Sequence, residues 1–130
     1  VVMEITLNKS GNLSLEKVWM AIDCGKAINP DTVKAQMQGG FIFGLSACLN
    51  EEITLKDGRV EQSNFHDYQI MRQKGIPDIE VEIIESGHEL GGVGEIGPPL
   101  AAPVLTNAIY AASGNRYRSL PLKNHGIKIL

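Results

Sequence analysis

The sequence predicts an α+β fold in one domain. Three observations carry this. Alternating, strand-like stretches and helix-like stretches are mixed along the chain without a regular strand–helix–strand rhythm. The chain has 130 residues, enough for one domain and short for two. Apolar residues make up 43% of it, so a sizeable core can form.

Taken in order, residues 1–8 (VVMEITLN) and 14–23 (ending VWMAID) read as strands, with NKSGN as the turn between them. DCGKAINPD is a loop built on Gly25 and Asn29-Pro30. Asp31 is placed to N-cap a helix running to about Leu49, whose apolar side is Val33, Met37, Phe41, Leu45 and Cys48. Gly39, Gly40 and Gly44 interrupt this helix, each at a cost of about 1 kcal/mol against Ala. A close approach by another backbone or a ligand is expected there. Asp57-Gly58 marks a hairpin. IEVEIIES, 79–86, alternates as a strand. PPLAAPVLTNAIYAAS reads as a second helix, with prolines at its start, Gly114 as its stop and small residues that imply close packing.

Composition excludes several classes. Aromatic residues at 5% and a net charge of −3 argue against a nucleic-acid platform. No apolar run is long enough for a membrane span. Residues 1–95 hold all 15 acids and 8 of the 12 Lys and Arg, a balance of −7. Residues 96–130 hold only Arg116, Arg118, Lys123 and Lys128, which reads as a solvated basic tail or as a surface for a partner subunit or anionic cofactor. Cys24 and Cys48 form no C-x-x-C pair and read as buried thiols. His66, His88 and His125 lack metal-ligand spacing. Asp67 and Tyr68 are candidates for orienting the hairpin, and Arg72 for pairing with an acid such as Glu80. The chain opens inside a strand, so a piece of a longer polypeptide is expected.

The segment GGVGEIGPP, 91–99, poses the functional question. Gly92, Gly94 and Gly97 have the G-x-G-x-x-G spacing of a dinucleotide turn between a strand and a helix. That reading lacks its other parts. No acid follows Glu95 to hold a ribose, and too little chain remains for a crossover and second strand. Pro98 and Pro99 also remove N–H donors from the helix start. No Gly-Lys-Ser/Thr of a P-loop is present. Glu95 is then the centre of interest, either as a base tuned by burial and the helix terminus or as a simple helix cap.

GGVGEIGPPLAAPVLTNAIYAA resembles the catalytic-glutamate segment of the xanthine oxidase family of molybdenum hydroxylases. VWMAIDCGKAINPDTVKAQMQGGFIFGLS resembles that family's strand, D-x-G-x-x-x-N-P turn and Q-x-x-G-G-x-x-x-G-L helix. NFHDYQIMR and RYRSLPL resemble the segments that follow. The likeness is greatest to the bacterial branch holding isoquinoline 1-oxidoreductase large subunits and related aldehyde dehydrogenases. It covers nearly the whole chain and implies the C-terminal part, 1–130, of a larger molybdopterin-binding subunit. Members carry molybdenum on a pterin, in bacteria usually molybdopterin cytosine dinucleotide, and oxidise N-heterocycles or aldehydes with water-derived oxygen. The resemblance makes Glu95 the general base, and Gly92, Val93 and Gly94 the backbone that approaches the cofactor. It assigns no residue as a metal ligand. It implies the upstream part of the same subunit and an iron–sulfur small subunit as partners, in the cytoplasm or periplasm. The family's other cofactor loops and its cluster cysteines have no counterpart here. The isolated chain is therefore expected to bind no cofactor, to be inactive and to self-associate through apolar surface left bare. The alternative is a non-catalytic α+β interaction module that keeps the fold.

Overall fold

A computed structural model describes residues 1–130. Strands β1 (Val2–Leu7) and β2 (Asn12–Asp23) form an antiparallel pair. Helix α1 (Pro30–Leu49) follows, then a short hairpin of β3 (Leu55–Lys56) and β4 (Arg59–Val60). Strand β5 (Asp78–Ile84), helix α2 (Gly97–Ser113) and strand β6 (Lys128–Ile129) complete the fold. The main sheet runs β1-β2-β5, with β5 parallel to β2 over Lys17–Asp23 and β6 parallel to its first residues, Asn12 and Leu13. Both helices cover one face of this sheet, and the α+β expectation holds.

The inward residues of β2 are Leu13 and Leu15, then Val18, Met20 and Ile22. The alternation skips one position because the β1 partner changes from Lys17 to Leu15 between Glu4 and Ile5, leaving Glu16 as a β-bulge. These side chains meet Met37, Phe41 and Leu45 of α1 and Ala101, Leu105 and Ile109 of α2 in a single core. The outer face keeps Trp19 partly exposed under Lys17, whose ammonium lies 5.4 Å from the ring centroid. Cys24 and Cys48 are buried free thiols, and burial pushes Cys48 up to about 11.

Several expectations are corrected in detail. The N-cap of α1 is Asn29, not Asp31. Asn29 is extended, its Oδ1 accepts from the Thr32 N–H at 3.1 Å, and Pro30 starts the helix. Gly40 and Gly44 do lie at a tight helix contact. A Cβ on Gly40 would stand 3.0 Å from Pro98 Cδ, and one on Gly44 would run into the Pro98 carbonyl oxygen and stand 2.9 Å from Ala101 Cβ. Gly39 does not share this contact: it is exposed, with nothing within 4 Å, because it lies on the opposite side of the helix from Gly44. Glu80 pairs with Lys17 at 3.4 Å rather than with Arg72. The hairpin turn is as expected, with Asp57 and Gly58 both at positive φ. Asp67 holds the turn that follows by accepting from Ser63 and Asn64, and Tyr68 donates to Glu51 at 2.7 Å.

Candidate active site

The parallel pairing of β2 and β5 brings two connections to one end of the sheet. Asp23 and Ile84 are register partners, so the turn after β2 and the long loop after β5 leave side by side. Three hydrogen bonds then fasten that loop, and a fourth orders the turn it is tied to. The Ser86 hydroxyl donates to Asp23 Oδ1 at 2.9 Å, and the Gly25 N–H donates to the same oxygen at 3.0 Å. The Gly91 N–H donates to the Cys24 carbonyl at 3.0 Å. Gln36 Nε2, in the second turn of α1, donates to the Gly94 carbonyl at 2.8 Å. Bonding to Ser86 first, then to the Gly25 N–H, holds the Asp23 carboxyl below its ordinary range.

Gly25 is required twice over. Its φ is +73°, and a Cβ there would meet the Glu89 carbonyl oxygen, with the His88 oxygen 2.7 Å away. The far end of the loop is equally constrained. A Cβ on Gly97 would come within 2.8 Å of Phe41 N and 2.9 Å of Met37 O, so α2 begins directly on the backbone of α1.

Gly92, Val93, Gly94 and Glu95 lie between these anchors. Val93 is half-buried against the core, whereas both glycines and Glu95 are exposed. Burial within the chain, one of the two influences considered for a tuned Glu95, is not found: nothing in the chain packs over its side chain, which makes no ion pair or hydrogen bond. Glu95 is not a cap either, because Ile96 occupies the N-cap of α2 without a side-chain bond. Gly92 and Gly94 have no packing neighbour within 4 Å and no positive φ, so neither packing nor backbone conformation within the chain demands glycine there. No carbonyl of the chain accepts the N–H groups of residues 92–95. Open glycines beside free amides fit an anionic group brought close to the backbone.

Gln36 and Asp23 stand inside the sequence motifs quoted above, yet motif spacing alone gave neither a role. Their partners are 58 and 63 residues away, and only the fold reveals them. The three histidines stay apart, and no group of His, Cys, Asp and Glu has the arrangement of a metal site.

The profile of the molybdopterin cofactor-binding domain matches residues 1–77. The chain belongs to that family. The chain is 41% identical over 124 residues to isoquinoline 1-oxidoreductase subunit beta of Brevundimonas diminuta, covering 95% of the chain and 16% of that protein. It is 30% identical over 123 residues to the membrane-bound aldehyde dehydrogenase (pyrroloquinoline-quinone) of Gluconacetobacter polyoxogenes, again covering 16% of the relative against 94% of the chain. The crystal structure of quinoline 2-oxidoreductase from Pseudomonas putida 86 superposes with a TM-score of 0.75 at 24% identity, over 88% of this domain and 16% of that chain. The domain thus spans about a sixth of the length of these relatives. No helix in it is long and apolar enough to cross a membrane.

Proposed function

We propose that this domain is the C-terminal part of a molybdenum hydroxylase subunit and that Glu95 is the general base of the reaction. The observation that carries the reading is the loop itself. One unpaired carboxylate stands on a segment fastened at Ser86, Gly91, Gly94 and Gly97, just after two glycines, Gly92 and Gly94, that packing inside the chain does not demand. The N–H groups around Gly92, Val93 and Gly94 would hold a molybdopterin cofactor, in its cytosine dinucleotide form. When bound, that cofactor supplies the two-electron redox chemistry of hydroxylation with oxygen drawn from water.

The work of the chain is to place a proton acceptor. Catalysis by a base needs its carboxylate within hydrogen-bond reach of the proton it removes. Gln36 fixes the carbonyl immediately before Glu95, and the Gly97 contact fixes the chain two residues after it, so the carboxylate has a short and defined reach. Burial of Glu95 must come from outside the domain, from the upstream part of the same subunit. An iron–sulfur subunit is the electron-carrying partner in this reading. Electron-poor N-heterocycles or aldehydes are the substrate class, in keeping with the names of the relatives.

Glu95→Gln in the complete enzyme is the test. It preserves shape and removes the base, so turnover should fall by about 10²–10⁴ while molybdenum content stays at the wild-type level. Full turnover at equal loading would remove the catalytic role from Glu95.

A further inference from the structure

At the other end of α1 and β2 from Glu95, a hollow of about 480 Å3 opens beneath the C-terminal segment. Arg72, Lys74, Lys123 and Lys128 are among the residues that line it. Its lining contains no Asp or Glu side chain. Only Lys123 has an acidic partner, Glu52 at 3.8 Å. A chain of net charge −3 therefore gathers four cations around one concavity. The carboxyl end of α1, at Asn50, offers about half a negative charge and offsets part of their repulsion.

The chemistry of the lining selects the ligand. Phosphate recognition relies on converging backbone N–H groups. Here the N–H groups of Met71, Lys128 and Leu130 are spent within the fold. Lys128 N–H donates to the Gly11 carbonyl at 2.9 Å, Leu130 N–H to Leu13 at 3.1 Å, and Met71 N–H to Ser46 Oγ at 2.9 Å. What remains is an apolar floor that includes Met71, Ile127 and Ile129 under a cationic rim. We infer that this hollow docks an acidic peptide segment of a partner polypeptide. One apolar side chain rests on the floor, and flanking carboxylates meet Arg72, Lys74 and Lys128. This inference is independent of the role of Glu95.

The test is fluorescence anisotropy on the 130-residue chain with a dye-labelled glutamate-rich peptide carrying a central Leu-Phe pair. Saturable binding at low ionic strength is expected. It should weaken about tenfold or more for Lys74→Glu/Lys128→Glu, and similarly when the Leu-Phe pair becomes Ser-Gly. Arg116→Glu/Arg118→Glu, which alters bases outside the hollow, should leave it unchanged. Circular dichroism checks that each variant is folded; if the double reversal is not, Lys74→Gln and Lys128→Gln singly carry the same comparison. Absence of saturable binding, equal loss in the Arg116/Arg118 variant, or indifference to the apolar pair would overturn the inference. So would displacement by inorganic pyrophosphate that is independent of that pair, which would make the hollow a phosphate site.

Discussion

Asp23 ties the start of the candidate loop and the turn after β2 to one carboxylate oxygen. Its Oδ1 accepts from both Ser86 and Gly25, and these bonds favour the ionised form. The folded-state value is therefore depressed below the unfolded one, ordinarily about 3.9. A depressed carboxyl contributes stability that is present above the unfolded value and lost as pH falls through the folded one. Protection of the Gly91 and His88 amides, taken relative to their intrinsic exchange rates, should accordingly fall as pH is lowered below about 4. Asp23→Ala should show fast exchange there at every pH, with the helices protected as before. Exchange at these amides that is insensitive to both changes would mean that Gln36 and the Gly97 contact hold the loop without Asp23.

Glycines in α1 separate two demands at the scale of the element. Gly44 is needed by the fold, because α2 crosses it at contact distance; Gly44→Val should destabilise by about 1–3 kcal/mol or more through overpacking. Gly39 faces open space in this domain, so Gly39→Ala should be neutral or stabilising by up to about 1 kcal/mol. Thermal or urea unfolding of the two variants checks both signs. Periodicity made the long elements legible: both helices, β1, β2, β5 and the Asp57-Gly58 turn need only local pattern. The direction of β5 against β2 was not legible, because parallel pairing leaves no local signature. The two-residue β6 is fixed by partners more than a hundred positions earlier. The α1 cap fell two residues early because Asn29 and Asp31 are both competent caps and the proline between them decides. Of the site, the glutamate loop was legible as a motif, but its exposure was not, since burial depends on what lies outside the chain.

For the whole molecule, two hollows are lined largely by apolar side chains that water reaches. One hollow lies between β1 and α2, lined by Val1, Val2, Leu100 and Val104. The other lies on the Gly39 side of α1, where Phe43, 66% exposed, stands beside Ile42 and Ile70. Patches of this kind favour association. The chain alone should therefore form oligomers at moderate concentration, as read by light scattering, and Phe43→Ser should shift it toward monomer without lowering its unfolding midpoint. A strictly monomeric wild-type chain would show that these surfaces tolerate water.

The bulge at Glu16 has a consequence far from where it lies. Side chains of a strand point alternately to its two faces, so one supernumerary residue reverses the parity of everything after it. Up to Leu15 the odd-numbered positions of β2 face the helices; from Val18 the even-numbered ones do. Asp23 is odd, and it points outward toward Ser86 because of that reversal. Were Glu16 paired regularly instead of bulged, the phase of the strand would carry Trp19 and Asp23 into the core and turn Met20 and Ile22 out to solvent. One carboxylate that ties down the glutamate loop thus keeps its direction through a bulge seven positions upstream, roughly 23 Å along the strand.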